Sequence, residues 1–137
     1  MQRCNFERIE QGEAVDVSKF AERIAKIRAR FAAKLADKIQ QTDAALPHMA
    51  GDGSDAVEAV ATAYRQFHDV CGIGATVGLE ATGQLARNLD AILVGPFREH
   101  RGLSADELVK LKEALESLRI GARTEMQSKD SNRELAN

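Results

Sequence analysis

The chain has 137 residues, of which 44% are hydrophobic and only 4% aromatic, with no Trp. This length suits one domain, whose core must come mainly from Leu, Ile, Val and Ala. The formal net charge of −2 argues against a general nucleic-acid-binding protein. No stretch approaches the roughly 18 apolar residues that a membrane span requires, and the polar N-terminus lacks the apolar centre of a signal peptide. Cys4 and Cys71 form neither a disulfide framework nor a metal-binding pattern, so we expect a cytoplasmic protein.

The N-terminal third of the sequence predicts one long helix after a lead-in. Residues 1–17 form the lead-in segment, where scattered apolar residues allow a short helix. The long helix is predicted from Ser18 to Leu46, because apolar residues recur there every three or four positions. Pro47 disfavours helical geometry in the residue before it and should end the helix. The apolar stripe consists of Phe20, Ile24, Ile27, Phe31, Leu35 and Ile39.

Two further helices are predicted on either side of a glycine-rich segment. The second helix begins near Ser54, a residue type that can cap its first turn. Its apolar stripe consists of Val57, Val60, Tyr64, Phe67 and Cys71. The second helix then enters a glycine-rich segment, residues 72–78 with three glycines, and a glycine turn leads to the third helix. The third helix is predicted to end at Gly95-Pro96 and presents Leu85, Leu89 and Ile92.

The fourth helix begins at a capping box, in which Ser104 and Glu107 satisfy free backbone N–H groups at the helix start. Its apolar stripe consists of Leu108, Leu111, Leu115, Leu118 and Ala122. Residues 127–137 form a polar tail. We therefore predict an all-α protein, an antiparallel up-down four-helix bundle over residues 18–126 with a short N-terminal lead-in segment.

His68 and Gly72 on the second helix are the candidate functional residues. At 100° per residue, His68 lies about 60° from the centre of the predicted apolar stripe, so its ring is expected at the border between core and water. Gly72 lies one turn further, although Gly costs roughly 1 kcal/mol relative to Ala inside a helix. Such a glycine leaves open space beside the imidazole. From this geometry alone, an ordinary boundary histidine and a packing glycine are the more frequent explanation.

The stretch from His68 to Leu79 resembles the signature of histidine phosphotransfer (HPt) domains. That signature is His, an apolar residue at +2, Lys at +3, Gly at +4, and then Gly and often Leu at +10 and +11. Four positions match: Val70, Gly72, Gly78 and Leu79. Cys71 stands where the family has Lys. The predicted order of helices over residues 18–126 is also similar to the family's.

The resemblance implies a phosphoryl-carrier protein of multistep phosphorelays, with no nucleotide-dependent activity of its own. His68 would exchange a phosphoryl group with the aspartate of a response-regulator receiver domain, and a hybrid sensor kinase is a further partner. Mg²⁺ is expected on the receiver, while the domain itself needs no cofactor. Neither nucleic acid nor membrane is expected as a partner. The sequence contains no phosphate-binding loop and no kinase glycine loop, which agrees with this role.

The missing Lys leaves open which group offsets the phosphoryl charge. Arg65, one turn before His68, and Arg87 on the third helix are candidates, although each can also be a solvated surface arginine. Asp90 stands 22 residues after His68, where the family often has a polar side chain, commonly Gln. Its carboxylate could orient the imidazole, but it would also repel a phosphoryl group. The residues assigned to phosphoryl support or docking are Arg65, Cys71, Gly72, Arg87 and Asp90. No metal site is expected.

Two alternatives remain open at this point. Without the family Lys, the domain can be a binding module that docks on a receiver or kinase without carrying phosphate. It can also be a structural bundle in another assembly. A basic run on the first helix is usually a solvated face, but it could also steer an acidic receiver toward His68. The run consists of Lys19, Arg23, Lys26, Arg28, Arg30, Lys34 and Lys38.

Overall fold

Four α-helices account for most of the chain in a computed structural model, which describes the backbone of residues 2–136 and the side chains of residues 18–131. The helices are α1 (Gln2–Ala45), α2 (Ser54–Thr76), α3 (Glu80–Arg98) and α4 (Ala105–Ala136), with a short 3₁₀ helix (Leu46–His48) after α1. Within residues 2–136 there is no β-strand. Short links join helices that run in alternating directions, so the predicted all-α bundle is confirmed.

One apolar core lies between the four helices. The most extensive contact is between α2 and α3, followed by α3 with α4, while α1 packs on α4 and α2 over a smaller area. Burial of each large aliphatic or aromatic side chain contributes about 1.5–3 kcal/mol. The large buried side chains of the core are Leu35, Ile39, Met49, Val60, Phe67, Val70, Leu89, Leu93, Leu103, Leu111, Leu115 and Leu118.

The ends of α1 and α4 extend further than the sequence predicted. α1 is one continuous helix from Gln2, whereas we predicted a lead-in followed by a helix from Ser18. The first 45 residues contain no Pro, and the single Gly12 weakens a helix without ending it. At the other end of the bundle, α1 stops at Ala45, and Pro47 lies in the 3₁₀ helix as expected. α4 continues to Ala136, through most of the segment predicted as a tail.

The apolar stripe of α1 is covered only over its C-terminal half. Leu35 and Ile39 are buried in the core, whereas Phe20 is 64% exposed and Ile27 is 45% exposed. The Nε of Arg28 donates a hydrogen bond of 3.0 Å to the carbonyl of Val77, just after the last residue of α2. The residues of α1 before Arg28 therefore lie beyond the turn between α2 and α3, where those helices cannot cover them.

The glycine-rich segment over residues 72–78 is mostly helical. α2 continues to Thr76, and the chain reverses only at residues 77–79. Gly78 has a φ of 82°, in the left-handed region that favours glycine at the end of a helix. The backbone N–H of Leu79 donates to the carbonyl of Gly74 over 2.7 Å and closes the turn.

α3 extends past its predicted end before Pro96 and stops at Arg98. Pro96 occupies the last turn, where its missing N–H removes only one helical hydrogen bond. His100 then adopts a left-handed conformation with a φ of 53°. The backbone N–H groups of His100 and Arg101 donate to the carbonyls of Phe97 and Pro96 over 3.3 Å and 3.1 Å. These bonds satisfy carbonyls that the end of the helix would otherwise leave free.

The predicted capping box of α4 is present. The N–H of Glu107 donates to Ser104 Oγ over 3.2 Å, and the N–H of Ser104 donates to Glu107 Oε1 over 2.9 Å. Hydrogen bonds from Arg101 to the same carboxylate lower the pKa of Glu107 to about 2. At α2, by contrast, the cap position is Gly53, and Ser54 is the first helical residue rather than the predicted cap.

Glu125 of α4 caps the N-terminus of α3. Its carboxylate accepts hydrogen bonds from the backbone N–H groups of Ala81 and Thr82 over 3.0 Å and 2.8 Å, and from the Thr82 hydroxyl over 2.7 Å. Burial raises the pKa of Glu125, but these hydrogen bonds and nearby Lys129 outweigh burial and bring the pKa below its ordinary value. The cap joins residues that are far apart in the sequence.

The mutation Glu125→Gln is expected to lower the free energy of unfolding by about 1 kcal/mol near pH 7, because the side-chain NH₂ cannot accept the hydrogen bond from Ala81. Folding lowers the pKa of Glu125, so its contribution is present above the ordinary value of 4.5 and is lost as the pH falls toward the folded-state pKa. Urea unfolding near pH 7 and near pH 3 measures this difference, which should shrink at the lower pH.

Glu116→Gln is the matched control for Glu125→Gln, because Glu116 pairs with Arg119 on the exposed surface of α4. This control should change the free energy of unfolding by less than about 0.5 kcal/mol. An equal loss in Glu125→Gln at both pH values would contradict the assigned cap.

Candidate functional site

His68 lies in the second half of α2, on the face that points away from the core. Its side chain is 60% exposed, while neighbouring Phe67 and Val70 are buried. Tyr64 and Cys71, which we predicted near the centre of the stripe, lie at the edge of the core. The buried face is therefore rotated further from His68 than the sequence suggested, and the imidazole is more accessible than a boundary ring.

Asp90 of α3 orients the His68 ring. The distance from His68 Nδ1 to Asp90 Oδ1 is 3.1 Å, and the Asp90 side chain is 26% exposed. An ionised carboxylate can only accept a hydrogen bond, so the nitrogen that faces Asp90 carries the hydrogen. In the neutral imidazole the free lone pair is then on Nε2. This is the orienting contact for which the sequence analysis selected Asp90.

An aromatic stack also contacts the imidazole. Tyr64, one turn before His68, stacks on it with ring centroids 5.4 Å apart and an interplanar angle of 27°. Tyr64 stacks in turn on Phe97 of α3, with centroids 4.3 Å apart. Such pairs contribute about 0.5–1.5 kcal/mol beyond area burial. The sequence analysis missed this role of Tyr64, although its spacing of four residues from His68 was a usable signal.

An open, shallow surface, which we call the groove, lies beside His68 on the exposed face of the last turns of α2. It is lined by His68, Asp69, Gly72, Ile73 and Thr76. A Cβ atom added at Gly72 would meet no other heavy atom of the described residues within 4 Å. Ile73, at 46% exposure, adds apolar surface to the groove. Contact with a neighbouring helix therefore does not account for Gly72, and the groove has room for another molecule.

Close helix packing instead involves Gly74, where α2 crosses α3 at Gly83. A Cβ atom at Gly74 would lie 3.1 Å from both the Cα and the backbone N of Gly83, which is tighter than ordinary van der Waals contact. A Cβ atom at Gly83 would lie 3.2 Å from the carbonyl oxygen of Cys71. This crossing holds α3 close enough to α2 for Asp90 to reach His68.

Arg65 is drawn toward an aromatic ring on the N-terminal side of His68. Its guanidinium carbon lies 5.9 Å from the centroid of Phe97, within the range of a cation–π contact. Among the described residues, Arg65 forms no ion pair. A flexible arginine in this position can leave Phe97 for a stronger anionic partner near His68.

Cys71, at the position of the family Lys, is a partly buried thiol. Its Sγ donates to the carbonyl of Phe67, one turn earlier in α2, over 3.2 Å. Burial raises the pKa of the Cys71 thiol, and the Asp90 carboxylate raises it further, while Arg87 acts in the opposite direction. Cys71 is therefore a neutral group that cannot replace the Lys charge. Arg87 is an exposed residue of α3, and within the described residues it forms no ion pair.

Neither a metal centre nor a membrane span is found in the part of the chain that the structure describes. No group of three or more His, Cys, Asp and Glu side chains there is placed to hold a metal ion. Within the same limits, none of the helices combines the length and apolarity needed to cross a membrane. The side chain of Cys4 lies outside the described residues.

The chain was compared with models of protein families, with curated proteins and with solved structures, and none of them matches it. The resemblance to HPt domains therefore depends on the residues of the signature from His68 to Leu79. The structure adds to that signature the contact between His68 and Asp90 and the open space at Gly72.

Proposed function

We propose that this chain is a histidine phosphotransfer protein. In this role His68 accepts a phosphoryl group from the aspartate of a response-regulator receiver and returns it in the reverse reaction. The observation that carries the proposal is an exposed imidazole, held through Nδ1 by Asp90, beside the open groove at Gly72. A receiver domain is the expected partner, either free or within a hybrid sensor kinase, and the activity belongs in the cytoplasm.

In the proposed transfer, the lone pair on His68 Nε2 attacks the phosphorus of the receiver's aspartyl phosphate. The P–N bond forms while the P–O bond to the aspartate breaks, and the electron pair leaves with the carboxylate. No proton has to leave Nε2, since the hydrogen is on Nδ1. Asp90 accepts the hydrogen bond from Nδ1 and stabilises the positive charge that develops on the ring. Mg²⁺ on the receiver supplies the remaining charge compensation, and the chain contributes no cofactor.

A second candidate function is docking on a receiver or kinase without phosphoryl transfer. Two features of the site favour it. Cys71 provides no positive charge where the family has Lys, and the Asp90 carboxylate adds negative charge near the position of an incoming phosphoryl group. Because phosphohistidine carries nearly two negative charges near neutral pH, both features weaken its stabilisation.

Incubation of the full chain with a phosphorylated receiver and Mg²⁺ separates the two functions. Transfer of label to the chain supports the phosphotransfer role. Binding without label, measured by titration calorimetry on the same preparation, supports the docking role. If neither binding nor transfer is seen with a panel of receivers from the same source, both proposals fail and a structural bundle is the better description.

We predict that Gly72→Gln blocks receiver docking without destabilising the bundle. The longer side chain fills the groove beside His68, so the affinity for the receiver and the transfer rate should both fall at least tenfold. Stability should be unchanged or rise by up to about 1 kcal/mol, because Gln favours a helix more than Gly does. Calorimetry and thermal unfolding measure the two effects. Undiminished binding and transfer by this variant would show that the groove is not the docking surface.

Arg65 is predicted to take over part of the role of the family Lys. An exposed ion pair between the Arg65 guanidinium and the phosphoryl group on His68 should contribute about 0.5–1 kcal/mol. Arg65→Ala should therefore slow phosphoryl acceptance severalfold without abolishing it. Cys71→Lys should restore most of the rate in the Arg65→Ala background. Single-turnover transfer to the parent, both single variants and the double variant, at one fixed salt concentration, provides the comparison. If Arg65→Ala transfers at the parental rate, Arg65 is only a surface residue.

A further inference from the structure

The imidazole of His68 is contacted at its edge and on its face by two different residues. Asp90 of α3 lies 3.1 Å from Nδ1, on the edge of the ring. Tyr64 of α2 stacks on the face of the ring, with centroids 5.4 Å apart and an interplanar angle of 27°. Because the His68 side chain is 60% exposed, these two contacts restrict the orientation of the ring more than burial does.

The two contacts restrict different rotations of the imidazole. The hydrogen bond to Asp90 selects which edge of the ring faces α3, but it leaves the ring plane free to tilt about the direction of the bond. The stack on Tyr64 fixes the plane, but it does not distinguish one edge of the imidazole from the other. The position of Nε2 and of its lone pair is therefore determined only by both contacts together.

Tyr64 is itself held in place from α3. Its ring stacks on Phe97 with centroids 4.3 Å apart and an interplanar angle of 18°, and both rings pack against the edge of the core. Phe97 lies seven residues after Asp90, which is about two turns along the same face of α3. α3 therefore supports the imidazole twice, directly through Asp90 and indirectly through Phe97 and Tyr64.

We propose that Tyr64 is a positioning residue for phosphoryl transfer, which fixes the plane of the His68 ring so that the Nε2 lone pair is held toward the groove. This inference rests on the proposed phosphotransfer function. Attack on a docked aspartyl phosphate requires the lone pair to be aligned with the P–O bond that breaks, so a ring that tilts spends less time in the reactive orientation. The energy of an aromatic pair corresponds to a factor of about two to ten in the population of the stacked ring, and loss of the stack should slow transfer by a similar factor.

Single-turnover transfer from a phosphorylated receiver, measured over a range of receiver concentrations, tests the positioning role. Tyr64→Leu keeps an apolar side chain but removes the ring, so the maximal rate should fall by about two- to tenfold while the half-saturating receiver concentration stays the same. Tyr64→Phe keeps the ring and should transfer at the parental rate. A higher half-saturating concentration with an unchanged maximal rate would show that Tyr64 is a docking contact, and it would overturn the proposal.

Two controls separate positioning from general damage to the bundle. Phosphoramidate is a small phosphodonor that can approach the exposed ring from several directions, so it should phosphorylate Tyr64→Leu and the parent at the same rate. An equal loss with phosphoramidate and with the receiver would overturn the positioning role. Phe31→Leu is the matched variant, because Phe31 is also a partly buried aromatic residue at the edge of the core but lies on α1, which contributes no residue to the groove. This variant should transfer at the parental rate.

NMR of the His68 ring tests the division of roles without any receiver. Tyr64→Leu should increase the mobility of the ring, measured by ¹³C relaxation, and leave the hydrogen on Nδ1, as reported by the ¹⁵N shifts of the neutral ring. Asp90→Asn should instead change the tautomer, because an amide can donate as well as accept. Unchanged ring mobility in Tyr64→Leu would overturn the proposal. If the parent accepts no phosphoryl group from any receiver, the proposed function fails, whereas this comparison still decides whether Tyr64 fixes the ring.

Discussion

His68→Gln is expected to reduce phosphoryl acceptance from a phosphorylated receiver to background while leaving the bundle folded. Glutamine has no nucleophilic ring nitrogen, so the attack on phosphorus cannot occur. Its amide can still donate a hydrogen bond toward Asp90, and the His68 side chain is 60% exposed, so little packing is lost. The main structural loss is the contact with Tyr64, for which we expect about 1 kcal/mol.

The readout is acid-labile label on each variant after incubation with a phosphorylated receiver, with thermal unfolding measured on the same samples. His48→Gln serves as a matched control, because His48 is exposed in the 3₁₀ helix and far from the groove. At His100 the control must be Asn, since the left-handed backbone there strains most other side chains. Normal labelling of the His68 variant would refute the proposed nucleophile.

Gly83→Val is expected to be the most destabilising of the proposed point mutations, at about 3 kcal/mol. The new side chain would meet backbone atoms of α2, beginning with the carbonyl of Cys71, and backbone cannot move aside as a flexible side chain can. To make room, α3 must move away from α2. The same displacement should weaken the hydrogen bond between Asp90 and His68, so we expect slower transfer even at temperatures where the variant is folded.

Gly72→Ala is the control for Gly83→Val, because a Cβ at Gly72 enters open space. Replacement of Gly by Ala at this position near the C-terminal end of α2 should stabilise the protein by up to about 1 kcal/mol. Urea unfolding compares the two variants, and the NMR chemical shifts of the His68 ring report on its contact with Asp90. Equal stability of the two variants would show that the crossing at Gly83 tolerates a side chain.

Features that depend on neighbouring residues in the sequence were the most predictable. The capping box of Ser104 and Glu107 is formed as predicted, since its hydrogen bonds join positions three residues apart. The helix end near Pro47 also follows from local backbone sterics. The end of α3 was predicted too early. Pro usually breaks a helix, but Pro96 lies in the last turn of α3, where it removes only one helical hydrogen bond.

Features that depend on tertiary contacts could not be predicted from one sequence. Glu125 reaches Thr82 across 43 positions, and nothing in either local sequence signals the cap. The sequence does not distinguish the two glycines near His68. A Cβ at Gly72 would enter open space, whereas a Cβ at Gly74 would meet the backbone of Gly83. The separation of 22 residues in the HPt pattern suggested a contact between His68 and Asp90 as one of two possibilities, the other being an ordinary solvated or paired Asp. By contrast, the contact of Arg65 with Phe97 requires the observed crossing of α2 and α3.

The stack of Tyr64 on His68 gives the protein an internal optical reporter. The chain contains one Tyr and no Trp, so emission excited at wavelengths that Phe does not absorb comes from Tyr64 alone. The imidazole lies 5.4 Å from that ring, centroid to centroid, and a change in its charge alters the surroundings of the fluorophore directly. Emission from the unlabelled protein should therefore change when His68 is chemically modified, and stopped-flow fluorescence can follow the event in real time.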